Sequence, residues 1–575
     1  MIRYSLATAQ PHRHFIQFTA EFETHGRPRL TLQLPSWRPG RYELGNFAKN
    51  VLRWTATNEH GDALVFRKAS KDQWIVETND SSKVIIRYDY YAAELNAGSS
   101  FLDEEQLYVN PVNCFFYDAD KPELPYRVEL EIPQDFQIAC GLKQESAHVL
   151  LAANFDELAD CPFIASASMR RLEYHAQGIT FHLWIQGEVK LDEPALLNEF
   201  AAFTKCQFDI FGDIPCKDYH FLFHFVPHFL RHGVEHSNST VIAMGPAADF
   251  QQDHLFKDLL GISCHELFHT WNVKNIRPVE MMPYDFTREN YSESGFVYEG
   301  VTTYYGDMLL WRSGAISDDE WLEMVSEHVQ DHFNNHGRLN LSVSQSSWDT
   351  WLDGYVSGIP WRKVSIYNEG FLIALICDVL IMKANALQCS LDDVMRELYE
   401  QFGKKAIGYS KDDYRSLLSR YGKNGLEGVW NDLVEGTADY TPYLSDALSN
   451  VGVSLAVNAS TKYAESTYGL SVDESNLKVV VTAIVPDSPA DKAGLWYGDE
   501  ILSVGEIAPY KNFQHLLRMQ ETTAKLAILR KGRRLNVELN ADGQVWFKKY
   551  RCERISELTD EMRATWSTWK FGVPR

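Results

Sequence analysis

The stretch Gly261 to Trp271, GISCHELFHTW, constrains what this chain can become more than any other part of it. His265, Glu266 and His269 form an HExxH pattern inside a run where Leu255, Leu259 and Ile262 recur at helical spacing, so an amphipathic helix is expected here. Side chains four apart stand one turn above each other on a helix. His265 and His269 can therefore close on one ion while Glu266 points beside it. Imidazole suits zinc, and a hydrolytic zinc takes three protein ligands plus water, so a third donor is expected downstream. Two half-buried core histidines would give the same local pattern, and only the distant donor separates the readings. Glu299 is the candidate, because 29 residues lie between it and His269, and a second helix through Glu299, Thr303 and Tyr304 can return a carboxylate to the metal. The helix dipole alone would also favour a glutamate in a first turn.

The segments HELFHTWNVKNIRP and YEGVTTYYGD together resemble the glycyl aminopeptidase family of zinc metallopeptidases. They are more distantly similar to aminopeptidase N, whose EG-x-[AT]-x-Y segment also carries a glutamate ligand. The long insertion between them, with Pro278 and Pro283, is similar to the first family. The resemblance implies a thermolysin-like catalytic domain of gluzincin type and a C-terminal PDZ domain. One zinc ion per chain would be held by His265, His269 and Glu299, with Glu266 as the base acting on water. Gly233-Val234-Glu235-His236 is similar to the family's GG-[LM]-EH segment, although His232 stands where a glycine is usual and Val234 where a larger apolar residue is. This implies that Glu235, with Gly233 and His236, receives the substrate's free amino terminus. Tyr367-Asn368-Glu369-Gly370 resembles a Tyr-x-x-Gly segment and implies that Tyr367 donates to the oxyanion. A preference for Gly or Ala at the substrate's amino end is implied by the family name alone.

The chain reads as a multidomain α+β protein. Residues 1–170 alternate apolar and polar over short runs such as HFIQFTAEFE and KVIIRYDYYA, the pattern of an antiparallel β-sandwich. Within it Trp37, Arg38 and Tyr42 can line a cleft, but turn chemistry at Pro39-Gly40 accounts for them more simply. Residues 171–445 pass from strands to helices, the order of a thermolysin-like α/β peptidase domain. Ser390 and Ser410 are expected to cap two of those helices. Residues 446–543 contain SPADKAGLWYGD, strongly similar to PDZ domains, with Tyr468-Gly469-Leu470-Ser471 in the place of their carboxylate-binding loop. Such grooves take an extended C-terminal peptide by strand addition. Residues 544–575 are expected to be helical, with no readable role.

A net charge of −23 repels phosphate backbones and anionic bilayers, which argues against nucleic-acid and membrane roles. Nine scattered cysteines and an N-terminus without an apolar core point to reduced thiols in the cytoplasm. The most apolar run, Phe371 to Met382, spans 12 residues and contains Asp378, which suits a buried helix. The expected function is hydrolysis of the N-terminal peptide bond of peptides with a free amino end. An endopeptidase using the same zinc, or a non-catalytic interaction protein built on the PDZ unit, are the alternatives. If the PDZ unit only recruits partners, truncation at Gly452 is expected to spare cleavage of small amides.

Overall fold

A computed structural model describes residues 1–356, 358–475, 477–520 and 523–574, and among these the strands form six sheets. Alternation shapes the first. Strands Ile2–Ala7, Phe15–Glu23 and Lys83–Tyr91 bury Tyr4, Leu6, Ile16, Phe18, Ile86 and Tyr88 on one face. This seven-stranded sheet is antiparallel except where Ile2–Ala7 runs parallel to Tyr126–Glu131. It packs on a four-stranded sheet that contributes Leu30, Leu32, Trp74 and Val76 to the same core. The N-terminal unit is thus a β domain, as its alternation requires. A further four-stranded sheet, from Phe101 to Ser166, turns Tyr108, Ala139 and Ile164 onto Trp184, Leu222 and Val241 of the next domain.

That next sheet runs in the order Arg170–Ala176, Ile179–Gln186, Asp218–Phe225, Ser239–Gly245, Leu230–Glu235, leaving the last strand at an edge. Its two central pairings are parallel. The central strand DYHFLFHF is buried along nearly its whole length, as a strand covered on both faces must be. Helices Glu193–Phe211 and Asp253–Phe268 pack on one face through Phe200, Phe203 and Leu259, and the N-terminal sheet covers the other. Helix Thr302–Ser313 follows a π-helical turn, Phe296–Val301. The apolar run at Phe371 lies in helix Ile366–Ala384, whose Asp378 is satisfied by the Tyr304 hydroxyl (2.6 Å) and the Leu391 amide (2.8 Å). Gly300 and Gly370 meet where this helix crosses the π-turn, and a Cβ on either would collide with the other's backbone. Ser390 and Ser410 cap their helices with reciprocal bonds from Asp393 and Asp413.

The PDZ unit is a five-stranded antiparallel sheet from Leu470 to Asn540, with its own core around Tyr468, Val481, Phe513 and Leu526. It is inserted between two paired strands, Val453–Ala459 and Lys548–Arg554, whose ends Ala459 and Lys548 lie opposite each other. The terminal segment is more than a helix. After the strand Lys548–Arg554, helix Asp560–Phe571 docks on the catalytic domain, where Trp566 and Trp569 pack against Trp311 and Trp321. The fully buried Trp569 indole donates to the Tyr304 hydroxyl at 2.7 Å. No helix among the described residues is long and apolar enough to cross a membrane.

Candidate active site

Helix Asp253–Phe268 carries His265 and Glu266, and His269 follows at its C-terminal cap with helical backbone. The Nε2 atoms of His265 and His269 lie 3.0 Å apart. Glu299, brought in by the π-turn, places Oε2 3.4 Å from His269 Nε2 and 3.9 Å from His265 Nε2. The His269 Nδ1–H donates to the Asn272 carbonyl at 2.7 Å, which leaves Nε2 as a lone-pair donor facing its partners. Burial, then the neighbouring His269, drives the His265 ring well below the usual imidazole range. On His269 burial acts downward, but Glu299, Glu235 and Glu266 together outweigh it and raise the ring to about 9. The trio therefore draws a positive charge to its centre, and a divalent cation satisfies two imidazoles and a carboxylate better than a shared proton.

Glu266 stands beside this trio, 6% exposed, with Oε2 unpartnered. Burial, reinforced by Glu235 and Glu299 and opposed by His269 and Arg38, pushes its carboxyl up to about 8. Gly233 leaves the space, since a Cβ there would strike Glu266 Oε1. Two residues along the same strand and on the same face, Glu235 projects a buried carboxylate whose Oε1 is unpartnered. Gly40, in left-handed backbone at φ +76°, makes room for Glu235 Oε2. Gly233, Glu235, His265, Glu266, His269, Glu299 and Tyr367 all line one cavity of about 440 Å³. His236 does not join them. It lies past the strand's end, and its Nδ1 faces Asp160 Oδ1 at 3.2 Å, where the buried Lys274 also bonds Asp160 at 2.6 Å.

The N-terminal domain supplies residues that turn chemistry had seemed to explain. The Tyr42 hydroxyl donates to Glu299 Oε1 at 2.6 Å, so the carboxylate presents its other oxygen to the histidines. Arg38, fully buried, lies in the same cavity, where desolvation lowers its pKa against the pull of Glu235. Tyr355 is bonded to Tyr367 and also lines the cavity. Burial, then the Glu299 charge, holds the Tyr367 phenol well above its ordinary value, so it stays a donor. Positive charge beside aromatic residues in SWRPGRY was the one available signal for this wall.

A second group of metal-type donors, His182, Asp218 and His220, lies on the same sheet as Glu235 and lines a separate cavity. The Arg171 guanidinium donates to His182 Nδ1 at 2.9 Å, and the Trp184 indole to His220 Nδ1 at 3.1 Å. Both Nε2 atoms must then carry the protons, which makes the pair poor ligands. In the PDZ unit, Gly469 adopts φ +65° and the strand Leu470–Asp473 forms a sheet edge, while Ser471 bonds Glu465 at 3.1 Å.

Residues 3–167 match the family model of the peptidase M61 N-terminal domain, residues 258–373 that of the M61 glycyl aminopeptidases, and residues 466–541 that of the PDZ domain. The crystal structure of an aminopeptidase N family protein from Idiomarina loihiensis superposes with a TM-score of 0.89 at 25% identity, covering 99% of this chain and 100% of that one. An M1 zinc metallopeptidase from Deinococcus radiodurans is similar at 13% identity and a TM-score of 0.46, over 76% of this chain and 94% of that one. No curated protein matches the sequence.

Proposed function

We propose that this chain, which carries an M61 N-terminal domain, an M61 glycyl aminopeptidase domain and a PDZ domain, is a zinc-dependent aminopeptidase. The observation that carries the reading is the meeting, in one cavity, of a three-donor cluster, an unpartnered Glu266 and an unpartnered Glu235 at a sheet edge. His265, His269 and Glu299 would hold one zinc ion. Bound there, zinc supplies Lewis acidity toward water and the scissile carbonyl.

The chain's own residues do the rest. The free edge of Leu230–Glu235 accepts a peptide laid antiparallel to it, with its α-ammonium against Glu235 and its first carbonyl near Gly233 and Glu266. Glu266 takes a proton from the attacking water and delivers it to the departing amine. Tyr367 donates its hydroxyl to the oxygen that gains charge. Arg38, Gly40 and Tyr355 close the cavity around the amino end, in keeping with the small Gly or Ala that the family description suggests. The open edge at Leu470–Asp473 is the surface assigned to a C-terminal peptide ligand, and the cytoplasm, where thiols stay reduced, is the assigned compartment.

The test is release of free amino acid from a panel of aminoacyl amides, with and without chelator. Chelator-sensitive release from glycyl and alanyl amides, and none from their acetylated forms, is the expected result. Equal cleavage of acetylated substrates would make the protein an endopeptidase.

A further inference from the structure

Beyond Glu266 the catalytic cavity opens into a second one of about 650 Å³, with Arg231, His265, Glu266 and Tyr367 on the shared boundary. Its far wall is helix Asp318–Asn334, which places Glu320, Glu323, Glu327 and Asp331 at helical spacing on one face. Asp258 and Asp307 face them from helices Asp253–Phe268 and Thr302–Ser313. Against these six carboxylates stand two permanent cations, Arg231 and Lys257. Lys257 is already committed to Glu320 and Asp253, and His328 to Asp307 at 3.2 Å. Asp258, Glu323, Glu327 and Asp331 have no hydrogen-bonded or ion-paired side-chain partner among the described residues. Like charges one turn apart destabilise a helix, and partial burial, then the charge of Glu323, raises the Glu327 carboxyl. The stripe is thus repulsive by itself, and a cationic ligand would relieve it.

Position says which ligand. Glu266, buried and with one oxygen unpartnered, lines this space as well as the catalytic cavity, so the groove lies on the path of the reaction. A peptide whose amino end sits at Glu235, running antiparallel to the edge strand, passes Gly233 and then Arg231, which borders both cavities. Its departing half therefore enters the acidic groove. Asp331 also lines an adjoining cavity of about 710 Å³ whose opposite wall is Thr482, Ala483, Ile484 and Tyr497 of the PDZ unit, so the groove leads a longer chain toward that domain.

We propose that this groove makes the enzyme select peptides with lysine or arginine in the first positions after the bond it cuts. The proposal rests on the aminopeptidase reading, because Glu235 sets the direction of the chain. The test compares glycine release from Gly-Lys-Lys-amide and Gly-Glu-Glu-amide by the zinc-loaded full-length protein and by the double variant Glu323→Gln/Glu327→Gln. Far-UV circular dichroism and melting temperature confirm that the variant is folded. The wild type is expected to favour the lysine peptide at least about tenfold in kcat/KM at low salt, and salt near 0.5 M should shrink that ratio by screening. The double variant should lose most of it. Equal rates on the two peptides, or a full lysine preference in the folded double variant, would overturn the groove alone. Glycine release from neither peptide would overturn the aminopeptidase reading and the groove with it.

Discussion

On the proposed mechanism Glu266 and Tyr42 serve the same centre in different ways, and substitution should separate them. Glu266→Gln removes the base and leaves every donor in place, so zinc content should stay stoichiometric while turnover falls by about three orders of magnitude or more. Near-native turnover in that variant would exclude the mechanism. Tyr42→Phe keeps the ring but removes the hydrogen bond that orients Glu299, so zinc affinity should fall about 10–100-fold. Competition against a chromogenic chelator reads this without reference to activity, and unchanged affinity would make Tyr42 a packing residue only. Losing the amine anchor is a third case. Glu235→Ala should cut kcat/KM on free-amino substrates at least about tenfold, the cost of one charge-assisted contact, with zinc retained. The meeting of His265 and His269 was legible because helix periodicity fixes their directions, whereas Glu299 comes in on a separate π-helical turn that periodicity does not foresee. Tyr42 could be named as a cleft candidate, but its bond to Glu299 was not legible, because the two lie 257 residues apart and no local pattern joins them.

At the scale of elements, the crossing of the π-turn and helix Ile366–Ala384 decides whether Glu299 and Tyr367 share a cavity. Gly370→Ala would drive a methyl into the Phe296 carbonyl and Gly300. Overpacking of this kind costs about 1–3 kcal/mol, and its geometric effect falls on the third ligand. Thermal denaturation should show a moderate loss, and metal affinity and turnover should fall with it. An unchanged melting temperature and unchanged zinc binding would show that the crossing tolerates a side chain. The buried helix was readable from its apolar run, and both glycines stood inside recognised motifs. Their reason was not readable, since periodicity tells which face of a helix is buried but not which helix it meets. The acidic face of Asp318–Asn334 was present in the sequence as carboxylates one turn apart, and only the fold shows that they front the catalytic cavity.

For the whole molecule, the C-terminal helix changes what a truncation means. Removing residues 452–575 takes Trp566 and Trp569 out of the catalytic core as well as deleting the PDZ unit, and loss of a buried tryptophan costs about 3–5 kcal/mol. That truncation should be unstable, and low activity in it would say nothing about recruitment. Because Ala459 and Lys548 face each other, residues 460–547 can instead be replaced by Asn-Gly, closing a hairpin. This excised protein should melt close to the parent and cleave glycyl amide at a comparable rate. A folded excision without activity would show that the PDZ unit shapes the cleft. The three-unit architecture was legible from alternation and motif, whereas the return of the last helix to Trp311 was not, because tryptophans at helical spacing do not name their partner. The two appended units also differ in how evolution can treat them. The PDZ domain enters and leaves through adjacent strand ends, so recombination can exchange it for another module without disturbing its host. The N-terminal sandwich lends Tyr42, Arg38 and Gly40 to the wall of the catalytic cavity. A gene fragment encoding the peptidase domain alone would inherit an incomplete site, and the two must descend together.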